Sequence, residues 1–134
     1  MGEKCVLIVE DSVSIRRLIV DMLSEIQEIT AFLQAENAFS AAQIIREVEP
    51  AVAILDINIP GSPGLNNGID VLKLAKTLHP HMLVIMLTNH ANERYRLACK
   101  QAGADYFFDK STEFDLLPNT IKSSLANVQA ASAG

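Results

Sequence analysis

The sequence predicts an α/β protein, a doubly wound parallel sheet of five strands alternating with five helices, and three observations carry that prediction. The runs CVLIV, AVAIL and MLVIML have strand length and no polar alternation, as strands covered on both faces should. The segments between them place apolar residues at helical spacing. Strand-like and helix-like segments also succeed one another along the whole chain, with no internal repeat and no low-complexity stretch. A chain of 134 residues with 49% hydrophobic content supports one core, so residues 1–127 are expected to form one domain and residues 128–134 a disordered tail.

The first strand is Cys5–Val9. A helix follows in SVSIRRLIVDMLSEI, where Ile15, Leu18, Ile19, Met22, Leu23 and Ile26 form one apolar stripe. A weaker strand at residues 30–36 leads into the helical segment AFSAAQIIREVE, which must end before Pro50. The third strand is expected at 51–55 and the third helix at 69–78, closed by His79 and Pro80. The fourth strand is expected at 82–87 and the fourth helix at 92–102, with Tyr95, Ala98, Cys99 and Ala102 as its buried stripe and Gly103 as a left-handed C-cap. A fifth strand at 105–108 precedes the last helix, which ends near Asn127 where periodicity stops. Its start is open, because Pro118 fits either a first helical position or a kink.

The net charge is -5, and Lys and Arg occur singly or in pairs, so the sequence lacks the basic footprint of a nucleic-acid binder. No apolar run approaches the roughly 20 residues of a membrane-spanning helix. The first residues lead into a strand without a signal-peptide pattern, so the protein is expected in the cytoplasm. Cys5 and Cys99 lack metal-ligand or redox spacing and are expected to be small core residues. His79, His81 and His90 lack metal-ligand spacing too. The Arg16 and Arg17 pair is expected on the polar face of the first helix.

In a parallel sheet all strands end on one edge, where the loops that follow them can converge. The residues expected there are Glu10 and Asp11 after the first strand, Asp56 after the third, Thr88 and Asn89 after the fourth, and Lys110 after the fifth. Alone, Glu10 and Asp11 read equally as a helix start, Thr88 and Asn89 as turn residues, and Lys110 as a solvated charge. Gathered at one edge, the carboxylates repel: at about 4 Å and an effective dielectric of about 20, each pair costs on the order of 4 kcal/mol. A hard divalent cation such as Mg²⁺ suits such an all-oxygen site, and Lys110 adds a fixed positive charge. A carboxylate facing a metal and an ammonium is a competent nucleophile toward a phosphoryl group, with Thr88 bonding one phosphoryl oxygen.

Four blocks carry a resemblance to a known family. VEDS at positions 9–12, ILDINIP at 54–60, MLTNHA at 86–91 and GADYFFDKS at 103–111 resemble, in order, the signature blocks of the receiver domain of two-component response regulators. The resemblance covers essentially the whole chain and implies a flavodoxin-like sheet of strand order 2-1-3-4-5. It implies that Asp56 is the phosphoacceptor, that Glu10, Asp11, Asp56 and the backbone carbonyl of Asn58 hold Mg²⁺, and that Thr88 and Lys110 contact the phosphoryl group. The implied donor is a phosphohistidine on a histidine kinase or phosphotransfer protein, docking in part on the Arg16 face of the first helix. Thr88 and Phe107 take the switch positions, and Asn58 and His90 those that tune phosphoryl lifetime. Output is expected through a downstream target protein, without direct nucleic-acid or membrane contact, and the fourth helix, fifth strand and fifth helix form the face for a homodimer.

The sequence departs from the family at three points. Phe107 lacks the hydroxyl often found at that position, Ser111 replaces a common proline and leaves the Lys110–Ser111 isomer open, and GSPGLNNG implies a short insertion before Gly68. Two rival readings are an aspartate-nucleophile phosphohydrolase and a phosphorylation-independent pseudo-receiver. The first is disfavoured by Asn58 standing where such hydrolases carry a second acid, the second by the intact acidic set with Lys110. A dinucleotide or flavin site is disfavoured by VEDSVS, an acidic loop without a glycine-rich cradle.

Overall fold

The computed structural model describes residues 4–89 and 92–133, with side chains described through residue 126. Strands β1 (Cys5–Val9), β2 (Ala31–Ala35), β3 (Val52–Asp56), β4 (Leu83–Thr88) and β5 (Tyr106–Asp109) form one sheet. Its order is β2-β1-β3-β4-β5 with every pairing parallel. The helices between and after them are α1 (Val13–Leu23), α2 (Ala38–Glu47), α3 (Gly68–Leu78), α4 (Glu93–Gln101) and α5 (Leu117–Ala133). The doubly wound architecture and its strand order are those expected.

The strands alternate between two apolar layers, which explains their unbroken apolar runs. Leu7, Val9, Ala53 and Leu55 point into the layer under α2 and α3, whereas Val6, Ile8, Val52 and Ile54 point into the layer under α1 and α5. Four helices begin with a side-chain cap: Ser12, Asn37, Asn67 and Asn92 each accept from an amide in the first turn, at 2.8 to 3.3 Å. α4 ends as its sequence predicts, with Gly103 at φ 101° and the Ala104 amide donating to the Cys99 carbonyl at 3.0 Å.

Several expectations need correction. Leu18 is 48% exposed, because α1 lies on the sheet through Ile19 and Leu23 and turns Leu18 toward the sheet edge. In α4 only Cys99 of the proposed stripe is fully buried, while Tyr95, Ala98 and Ala102 are half-buried. α5 runs to Ala133 rather than ending near Asn127, since no Gly or Pro interrupts VQAASA. Gly134 lies outside the described residues. Pro118 sits in the first turn of α5, after a 3-10 turn at Phe114–Leu116, where its missing N–H costs nothing. Cys5 and Cys99 are both buried core thiols, and burial pushes Cys99 up to about 11.

The insertion before α3 is stored as a tight turn. The Leu65 amide donates to the Ser62 carbonyl at 2.9 Å across Pro63 and Gly64, so the extra residues project outward. Gly68 therefore still lies against the end of β3. Its amide donates to the Ile57 carbonyl at 2.8 Å, and a Cβ there would lie 2.1 Å from the Asp56 carbonyl oxygen.

Candidate functional site

Asp56 and Thr88 are the last paired residues of β3 and β4, one step inside the loops where they were expected. The parallel ladder holds them there through backbone groups, pairing Asp56 with Leu87 and Thr88 with Asp109, so polar side chains do not interrupt it. Glu10 follows β1, its amide bonded to the Ala35 carbonyl at 3.0 Å, and Lys110 follows β5, its amide bonded to the Thr88 carbonyl at 2.9 Å. Four strand ends thus deliver four charged or polar side chains to one edge.

The carboxylates do converge. Glu10, Asp11 and Asp56 each offer an oxygen, all within 4.8 Å of one another. Glu10 and Asp56 are buried, at 3% and 5% exposure, and Asp11 is exposed. The Lys110 ammonium lies between the two buried ones, 2.8 Å from Asp56 Oδ2 and hydrogen-bonded to Glu10 Oε1. Asp56 Oδ1 also accepts from the Asn58 amide at 3.1 Å, and Glu10 Oε2 from the Ser12 amide at 3.0 Å. Burial pushes the Glu10 carboxyl above its ordinary range despite the opposing pull of Lys110 and the Ser12 amide. Burial pulls the Lys110 ammonium down, but its bonds to Asp56 and Glu10 outweigh this and raise it.

These groups face a cavity of about 690 Å³, lined also by Asn58, Asn89, Ile15, Leu18 and Phe114. The donor set is entirely oxygen and carries one exposed carboxylate, which suits a hard divalent cation that keeps water ligands. Thr88 is fully buried and is not among the residues lining the cavity. Phe107 is half-buried on the α4 side of the sheet, with the Arg96 guanidinium 4.7 Å from its ring centre. The Lys110–Ser111 peptide is trans. His90 lies outside the described residues.

Two features escaped sequence reasoning. Arg16 does not simply coat the polar face of α1: it donates to the Glu10 carbonyl at 2.6 Å and to Gln34 Oε1 at 3.2 Å, tying the acidic loop to β2. Asp109, Ser111 and Glu113 form a hydrogen-bonded turn around Lys110. Neither has a periodic signal, though an Asp two residues before a Ser is a recognisable turn former.

The response regulator receiver domain family matches residues 6–122. Sporulation initiation phosphotransferase F of Bacillus subtilis is 30% identical over 122 residues, covering 91% of this chain and 93% of that protein. A protein-glutamate methylesterase/protein-glutamine glutaminase of Rhizobium johnstonii is 33% identical over 114 residues, or 84% of this chain, which spans only 32% of that protein. Among solved structures, a CheY-like response regulator receiver domain protein from Methanospirillum hungatei superposes with a TM-score of 0.83 at 26% identity, over 97% of this chain and 99% of that one. No helix among the described residues is long and apolar enough to cross a membrane. The acidic cluster fits a phosphoacceptor site. Because the family match runs from the first strand into the last helix, it takes in the whole sheet and the cluster at its edge: this chain belongs to the response regulator receiver domain family of two-component systems.

Proposed function

We propose that this receiver accepts a phosphoryl group on Asp56, in a Mg²⁺-dependent reaction, from a phosphohistidine of a histidine kinase or phosphotransfer protein, and acts as a phosphorylation-controlled interaction switch. The observation that carries this reading is Asp56 Oδ2 at 2.8 Å from the Lys110 ammonium, inside a cluster whose carboxylate oxygens lie within 4.8 Å of one another. Glu10, Asp11, Asp56 and the Asn58 carbonyl would hold Mg²⁺, which when bound neutralises charge on the transferring oxygens. Asp56 attacks phosphorus, the P–O bond forms as the P–N bond breaks, and the imidazole leaves with the electron pair of that bond. Lys110 offsets negative charge on the phosphoryl oxygens, and the Thr88 hydroxyl donates to one of them.

Thr88 and Phe107 then carry the change toward α4. With no hydroxyl on Phe107, the movement rests on ring packing and on Arg96 above the ring. Asn58 and His90 tune how long the acyl phosphate survives. The active form meets a downstream protein in the cytoplasm, and the α4, β5 and α5 face is where a homodimer would form. The only turnover is of the protein's own acyl phosphate; Asn58, lacking the carboxyl of a general acid, speaks against a hydrolase acting on external substrates. The name of the Bacillus subtilis relative, a phosphotransferase, supports relay chemistry.

The test is intact mass after incubation with acetyl phosphate, with and without Mg²⁺, beside Asp56→Asn. One phosphoryl group on the wild type, only with Mg²⁺ and absent from the variant, is expected. Undiminished labelling of Asp56→Asn refutes the assignment of the acceptor.

A further inference from the structure

Lys110 must bring its ammonium to a point between Glu10 and Asp56 from a side chain that is only 9% exposed. A lysine stem is long and freely rotating, so the accuracy of that delivery depends on how firmly the backbone at position 110 is held. On one side the Lys110 amide extends the ladder by donating to the Thr88 carbonyl at 2.9 Å. On the other the chain must turn at once toward Phe114–Leu116, and position 111 is a serine, without the fixed φ that a proline would give.

A set of hydrogen bonds centred on Asp109 makes this turn. Asp109 Oδ1 accepts from the Ser111 amide at 2.8 Å and from the Ser111 hydroxyl at 2.6 Å. The Asp109 amide donates to Glu113 Oε1 at 3.0 Å, and the Asp109 carbonyl accepts from the Glu113 amide at 2.8 Å. The arrangement is reciprocal in the manner of a capping box: one carboxylate serves a downstream amide while a downstream carboxylate serves the upstream one. Lys110 is the residue enclosed. The 3-10 turn that follows receives no side-chain cap from Glu113, so this carboxylate serves Asp109 rather than the next helix. The Ser111 hydroxyl and amide hold the Asp109 carboxyl below its ordinary range, which keeps the acceptor ionised.

Asp109, Ser111 and Glu113 do not line the cavity, whereas Lys110, which they enclose, lines it and bonds Asp56 Oδ2 at 2.8 Å. We propose that Asp109, Ser111 and Glu113 are positioning residues that lock the backbone around Lys110 and so aim its ammonium at the phosphoacceptor site. This rests on the reading of Lys110 as the group that contacts the phosphoryl oxygens.

The experiment uses the full chain and two readouts. In the first, a pulse of acetic anhydride is followed by peptide mass spectrometry, with exposed Lys100 as internal reference. Lys110 should be protected in the wild type, and labelled about tenfold faster relative to Lys100 in Asp109→Ala and Glu113→Ala, which lose hydrogen bonds to charged groups. Asp109→Asn and Glu113→Gln, whose amide oxygens still accept, should keep most of the protection. In the second, the rate of phosphoryl uptake from acetyl phosphate with Mg²⁺ should fall about tenfold in the alanine variants and recover in the amide variants. Alanine variants that remain folded and protect Lys110 as the wild type does, or that take up phosphoryl at the wild-type rate, overturn the proposal. A rise in labelling shared by every lysine also overturns it, since that marks general loosening. If the wild type takes up no phosphoryl group, the proposed function fails, and the acetylation readout still decides whether the turn holds Lys110.

Discussion

Replacing Gly68 with alanine tests whether β3, which carries Asp56, and α3 are locked together by backbone contact. The added methyl would lie 2.1 Å from the Asp56 carbonyl oxygen and 2.9 Å from Ile57 Cα. Both are backbone atoms at the end of β3, so neither can swing aside, and α3 must move outward, stretching the 2.8 Å bond from the Gly68 amide to the Ile57 carbonyl. Overpacking of this kind costs about 1–3 kcal/mol, and a weakened hydrogen bond about 1 more. Alanine returns up to about 1 kcal/mol in helix propensity, leaving a net loss of about 1–4 kcal/mol. For a domain of this size that corresponds to a melting temperature lower by about 4–14 °C. Gly64→Ala in the same loop is the control. Nothing lies within 4 Å of its Cβ, and only its φ of 83° is strained, so it should lose about 1–2 kcal/mol. Thermal and urea unfolding followed by circular dichroism measure both. Phosphoryl uptake should also be slower in Gly68→Ala than in Gly64→Ala, because outward movement of α3 loosens its hold on the Ile57 carbonyl and with it the adjoining Asn58 amide that bonds Asp56 Oδ1. A Gly68→Ala protein that melts within about 2 °C of the wild type refutes the close-approach argument.

The remaining predictions concern charge and burial. Mg²⁺ at about 100 times its dissociation constant should stabilise the protein by about 2.7 kcal/mol, and Asp11→Ala should require a much higher concentration for the same shift in the urea midpoint. Lys110 is raised above its unfolded 10.5 by Asp56 and Glu10 against the effect of burial, so its contribution is fully present below 10.5 and is lost as pH rises through the folded value. Urea midpoints should therefore fall as the pH rises above about 10.5 more steeply in the wild type than in Lys110→Met. Glu10 is raised above 4.5, chiefly by burial, so its contribution is present below 4.5 and is lost on going up through its folded value. Glu10→Gln should remove that part of the acid-side slope. Cys99, fully buried and pushed up to about 11, should not react with a thiol reagent at neutral pH until urea unfolds the chain, so labelling should track the unfolding curve.

Most of the fold was legible because each strand is covered on both faces and advertises this as an unbroken apolar run. β2 was the faint one, since its Gln34 is exposed and its first three residues are only half-buried at the edge of the sheet. The convergence of Glu10, Asp11, Asp56 and Lys110 followed from parallel topology alone. Details set by short-range contact were not legible. Whether Leu18 faces the core or the cavity depends on how α1 rolls on the sheet, which apolar spacing on one helix leaves undetermined. The Arg16 bond to the Glu10 carbonyl and the Asp109 turn are side-chain to backbone contacts, and these obey no period. The fit of Gly68 against Asp56 spans a loop whose turn at Pro63 and Gly64 projects the inserted residues away, so sequence distance from Pro60 misstates distance in space.

The charge balance of the site explains why Lys110 alone cannot satisfy it. Glu10 and Asp56 each bond the ammonium, and Asp11 does not, so with all three carboxylates ionised two negative charges stay uncompensated. At an effective dielectric of about 20, two carboxylates 4.8 Å apart repel by about 3.5 kcal/mol, and an ammonium 2.8 Å from a carboxylate attracts it by about 6 kcal/mol. The two attractions then roughly offset the three repulsions, and the cost of burying Glu10 and Asp56 away from water is left over. The backbone therefore holds it together, through the pairing of β1 with β3 and the ladder bond from Lys110 to Thr88. A divalent cation would add two positive charges to that balance. It would approach through Asp11, the exposed member, which is why the Asp11→Ala variant separates cation affinity from the stability of the sheet.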